Sequence, residues 1–164
     1  MFKFGTIGAF KQVRNNPRTK ATIELRNGYV VIPDDATGLA PTAATPTQAK
    51  STDVHVVYNI IDKPEIRNSA DYKINIGEYA RTFKLADLAG LPVELSYDTV
   101  KDDYAAINKN DVLVPCDDTD DTPSIKAKGK WKVSADPDYK VGIKVLEKTS
   151  FGEKGFYGIV IVRD

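Results

Sequence analysis

The chain has 164 residues, and Lys+Arg and Asp+Glu stand at 23 each, so the formal net charge is zero. That length builds one domain, or two small lobes, with a core that needs no disulfide staples; the charge balance excludes a globally basic nucleic-acid binder and a globally acidic mimic. One Cys and one His exclude an intrachain disulfide and a multi-His metal site.

Residues 1–19 read as an N-terminal arm. Phe2, Phe4 and Phe10 are interleaved with Lys3, Lys11, Arg14 and Arg18, and the stretch carries the breaker Asn15-Asn16-Pro17. An arm of aromatics and cations docks on its own domain or on a neighbour. The first firm element is expected at Ala21. Two β-rich runs, Ala21 to Leu25 and Tyr29 to Ile32, flank Arg26-Asn27-Gly28, and Asn-Gly is the strongest short hairpin signal. Residues 40–52, APTAATPTQAKST, are small, polar and proline-punctuated, which predicts a long loop that suits a binding extension.

Asp53 to Ile61 predicts a strand, and 70–76 alternates weakly. Phe83 to Gly90 predicts one short helix of a turn or two, closed by glycine. Pro92 to Tyr97, Val112 to Pro115, Gly129 to Ser134, Val141 to Glu147 and Phe156 to Val162 read as short strands separated by turn residues. About eight short strands with turn-rich gaps predict a mainly β domain over 20–164, an antiparallel sandwich or barrel, with a sub-lobe boundary near 98–110. The apolar runs are too short to span a membrane. The N-terminus lacks the apolar segment and cleavage site of a secretory leader, so cytoplasmic synthesis is expected.

Charge is balanced overall but not locally. Net charge is +5 over residues 1–31, −3 over 32–97, −6 over 98–121 and +4 over 122–164. Such a chain attracts partners of the same polarity, copies of itself included. Asp117-Asp118-Thr119-Asp120-Asp121 offers oxygen ligands suited to Ca²⁺, but Thr122 stands where an EF-hand loop needs glycine. A solvated loop kept extended by like-charge repulsion is the expectation, with no metal. Cys116 beside it is expected to be a poor nucleophile. Lys126, Lys128, Lys130 and Lys132 alternate with small residues and Trp131, which puts the lysines on one strand face and the Trp in the core. No phosphate loop, dinucleotide fingerprint, zinc spacing or nucleophile elbow is present, so neither catalytic residues nor a cofactor are assigned.

Several stretches of the second half carry a resemblance. They are Ile76 to Phe83 (IGEYARTF), Leu88 to Ser96 (LAGLPVELS), Asn110 to Pro115 (NDVLVP), Val145 to Gly152 (VLEKTSFG) and the closing β-run from Phe156 to Val162. The layout over roughly residues 70–164 resembles small virion proteins of tailed bacteriophages, the head decoration and capsid accessory proteins. The resemblance implies a non-enzymatic protein on the capsid exterior. It would bind the major capsid protein, stabilise the shell and work as a homo-oligomer such as a trimer, with no membrane or nucleic acid involved. Capsid contacts are then expected from the arm (Phe4, Phe10, Lys11, Arg14, Arg18) and from the 40–52 loop (Thr42, Thr45, Thr47). The alternatives are a head–tail connector or tail component, and a β-barrel nucleic-acid or ligand-binding module supported by the lysine stripe.

Overall fold

The computed structural model describes residues 2–4, 15–61, 71–149 and 154–164. Within them the chain is mainly β, with eleven strands in two sheets and one short α-helix. The six-stranded sheet has the order β1-β7-β11-β10-β8-β9: β1 (Phe2–Phe4), β7 (Pro92–Ser96), β11 (Gly155–Val162), β10 (Val141–Thr149), β8 (Val112–Pro115) and β9 (Trp131–Val133). All its pairings are antiparallel. The long strands follow the two-residue period: Val141, Ile143 and Val145 of β10 face Phe156 and Val160 of β11 across one buried side. Gly158 sits between Val93 and Val145 in this sheet, where a Cβ would lie 2.6 Å from Ile143 Cγ2 and 2.7 Å from the Lys144 carbonyl.

The five-stranded sheet has the order β3-β5-β6-β2-β4: β3 (Val30–Val31), β5 (His55–Val57), β6 (Tyr79–Lys84), β2 (Asn15–Ala21) and β4 (Leu39–Ala40). Its edge strands are joined by a hairpin, with Ile32 N–H donating to Pro41 O and Asp34 N–H to Leu39 O, both at 2.8 Å. The sheet therefore curls into a small barrel. The main core lies between the sheets: Val30, Val56 and Phe83 from the barrel wall meet Phe2, Leu95, Leu113, Trp131, Ile143 and Phe156. The alternate residues Ala21, Val31, Val57 and Ala80, with Ala40, fill the barrel interior, capped by Leu25, Tyr72 and Ile74.

The β class agrees with the sequence reading; several elements differ. Residues 2–4 and 15–19 lie in strands, so the first long strand starts at Asn15 rather than at Ala21. Pro17 fits within β2 because it falls in a bulge between Asn16 and Thr19, where a missing N–H costs no ladder bond. The β2–β4 pair is parallel, an exception to the antiparallel expectation.

Asn27-Gly28 makes a turn but no hairpin. Val30 and Val31 pair instead with Val56 and His55, and Leu25 bridges to Ile74. The reason is tertiary. The buried Asn27 amide donates to Asn59 O at 2.9 Å and accepts from Asn59 N–H at 2.8 Å, while Gly28 O accepts the Trp131 indole N–H at 2.8 Å.

The stretch 40–52 is ordered rather than one long loop: it holds the end of β4 and α1 (Pro46–Lys50). Thr45 caps that helix, Pro46 begins it, and Ala49 packs into a satellite core with Ala43, Val114 and Tyr139. The helix expected at 83–90 is a 3-10 turn over Leu85–Leu88, and Phe83 and Lys84 end β6.

Candidate functional site

The acidic run is not a solvated, extended loop. Asp117 caps a 3-10 turn over Asp118–Asp120 in a reciprocal capping box. Lysines from elsewhere neutralise the cluster: Lys101 reaches Asp120 at 2.9 Å, Lys132 reaches Asp120 at 2.6 Å and Asp117 at 3.7 Å, and Lys128 reaches Asp118 at 3.1 Å. Burial works against ionisation of Asp120, but hydrogen bonds from Lys132 and Lys101 outweigh it and hold the carboxyl below its ordinary range. Burial likewise works against the Lys132 ammonium, and its hydrogen bonds to Asp120 and Tyr139 hold its pKa above the lysine range. Three of the carboxylates that suggested a Ca²⁺ loop are thus paired with ammonium groups, and the fourth, Asp121, accepts the Ala127 N–H at 2.7 Å. Among the described residues no cluster of three or more His, Cys, Asp or Glu is arranged to hold a metal ion.

The lysine stripe is divided in the same way. The strand begins only at Trp131, which is fully buried as expected. Lys128 and Lys132 are spent on the aspartates, while Lys126, Lys128 and Lys130 line a surface groove. Cys116 is buried, and its thiol is pushed up to about 12, by burial first and by Asp120 second, so it is not a nucleophile at neutral pH. His55 lies on β5 with Nδ1 at 3.1 Å from Thr82 Oγ1. Burial and the neighbouring Lys84 lower its pKa to about 4, so the ring is neutral at pH 7.

The expected contact residues fall in different places. Phe10, Lys11 and Arg14 lie outside the described residues. Phe4 pairs with Val93 as the last residue of β1, on the edge of the six-stranded sheet. Arg18 is exposed in the β2 bulge, its N–H bonded to Asn16 Oδ1. Thr45, the cap of α1, and Thr47 within it are exposed. Thr42 is turned inward: it is buried and its hydroxyl donates to Asp118 Oδ1 at 3.1 Å.

The sequence reading overlooked a group of exposed apolar side chains at one end of the barrel. Lys20 is paired on one side with Leu39 and on the other with Tyr79, so three neighbouring strands present these residues outward while Ala21, Ala40 and Ala80 point in. The Lys20 ammonium lies 5.2 Å from the Tyr79 ring centroid. Ile60 follows Asn59, whose side chain donates to Tyr79 O at 3.0 Å, and Ile76 stands in the turn that leads into β6. Leu39 is 42%, Tyr79 59%, Ile60 68% and Ile76 70% exposed. Single exposed apolar residues are ordinary, but Leu39 and Tyr79 stand on either side of Lys20 on adjoining strands, and such grouping is a feature of docking surfaces. The available signal was Ile76 and Tyr79 flanking the turn residues Gly77-Glu78.

No family model matches the chain, no curated protein matches its sequence, and no solved structure matches its fold.

Proposed function

We propose that the chain is a non-enzymatic structural protein of a tailed-phage particle that binds the capsid exterior and stabilises the shell. The observation that carries the reading is the exposed group Leu39, Tyr79, Ile60 and Ile76, with Lys20 among them, on the outside of a β barrel. A rigid β body with an uncovered apolar face suits repeated docking on a protein lattice. Covering that face across a joint between capsomers stabilises the closed shell by binding it in preference to the opened one. The resemblance of residues 70–164 to virion accessory proteins points the same way. Cys116 is buried with its thiol pushed up to about 12, and His55 is a weak base bonded to Thr82, which favours a binding role over a catalytic one.

The test is sedimentation of the purified protein with shells assembled from a tailed-phage major capsid protein. Saturable binding at hundreds of copies per shell, lost in Tyr79→Asp and Ile60→Asp, is the expected result. Binding at six or twelve copies moves the protein to the head–tail connector. Absence of binding, or binding unaffected by both substitutions, removes the reading.

A further inference from the structure

We propose that the groove between the barrel and the turn preceding β9 is a binding site for an acidic peptide segment, carboxylate side chains flanking an apolar one. The inference does not rest on the capsid reading, since any protein partner of that chemistry would serve. The groove has a volume of about 360 Å³, with Ile23 and Tyr29 on the barrel side and Lys126, Lys128 and Lys130 opposite. Its own carboxylates are already engaged. Glu24 is paired with Lys73 at 2.8 Å, and Asp121 accepts the Ala127 N–H at 2.7 Å. Lys128 is held by Asp118, whereas among the described residues Lys126 and Lys130 make no ion pair with a carboxylate. Lys126 and Lys130, four residues apart, therefore border the apolar Ile23 and Tyr29 with no carboxylate in ion-pair contact; Lys126 still acts on the Asp121 charge, and the three lysines outnumber the two lining carboxylates.

The lysine-bearing turn is preorganised. Lys130 N–H closes it on Ala127 O at 2.9 Å, Gly129 O accepts the Val30 N–H at 2.8 Å, and Lys130 O accepts the Cys116 N–H at 2.9 Å. Gly129 has φ +74°, and a Cβ there would stand 2.9 Å from Tyr29 Cδ2, so glycine lets the turn seat directly on the tyrosine. A site fixed from both sheets loses little entropy when a ligand enters. A nucleic-acid strand fits less well: Tyr29 is the one aromatic lining the groove, pressed against Gly129 rather than offered for base stacking.

The probe is a capped synthetic pentapeptide with two glutamates on each side of one leucine, titrated at low salt and followed by amide shifts in the full chain. Shifts concentrated at Tyr29, Lys128, Gly129 and Lys130 are expected. Lys126→Ala with Lys130→Ala weakens binding at least tenfold, Lys126→Arg with Lys130→Arg retains it, and Lys109→Ala with Lys144→Ala leaves it unchanged. Shifts spread over all lysines, equal weakening in the Lys109/Lys144 control, or no shift would overturn the site. An oligothymidylate that displaces the peptide from these residues at lower concentration would overturn the peptide in favour of nucleic acid.

Discussion

Thr19 offers a substitution whose expected sign is stabilising. It lies on β2 facing the barrel interior, fully buried beside Ala80, and among the described residues its hydroxyl has no hydrogen-bond partner. A buried hydroxyl left unpaired costs about 1–3 kcal/mol relative to an apolar group of the same shape. Valine keeps the volume and the β-branching, so Thr19→Val opens no cavity and keeps the strand preference. The expected gain is about 1–2 kcal/mol, or a rise in Tm of roughly 2–6 °C for a chain of this size. Thr82 on the neighbouring strand is the contrast. Its hydroxyl bonds to His55 Nδ1 at 3.1 Å and donates to Asn16 O at 3.4 Å, so Thr82→Val is expected to cost about 1–2 kcal/mol. Calorimetric melts and urea titrations of both variants decide. A destabilised Thr19→Val, or a Thr82→Val at least as stable as the parent, would refute the assignment of these two hydroxyls.

Other outcomes follow from the same geometry. Gly158→Ala, with its Cβ driven into Ile143 Cγ2 and the Lys144 carbonyl, should destabilise by about 2–3 kcal/mol in urea melts. Gly90→Ala, with no atom within 4 Å but φ +78°, should cost only about 1 kcal/mol. His55 has a folded pKa of about 4 against 6.5 unfolded, so the unfolded state binds the extra proton between them and stability is lost as pH falls through that window. The loss is at most about 3 kcal/mol, nearer half that because the ring is partly open to solvent. It should be missing in urea melts of His55→Gln. The Cys116 thiol should react with a disulfide reagent at pH 8 only at the rate of unfolding; fast stoichiometric reaction of the native chain would contradict its burial.

What the sequence showed clearly were the strands of the larger sheet. β7, β8, β10 and β11 alternate large apolar residues with others, because one side meets the wide core between the sheets. Within the barrel, β2 and β6 were nearly silent for a physical reason: the interior is narrow, so Thr19, Ala21, Ala80 and Thr82 fill it, and alternation of Ala or Thr with Lys or Arg lacks the contrast that marks a strand. Asn27-Gly28 misled because its local hairpin preference lost to two hydrogen bonds with Asn59. The α1 start was legible in Thr45-Pro46, a cap followed by proline at the first helical position, but was masked by the polar composition around it. The folding of the acidic run depends on Lys101 and Lys132, and no local pattern announces partners brought in by other strands.

The measurement that bears most directly on the structural role is the disassembly temperature of purified capsid shells with and without saturating protein, followed by light scattering. The account predicts a rise of several degrees that disappears with Tyr79→Asp. Shells that open at the same temperature in its presence, with the protein bound, would contradict the stabilising function at its centre.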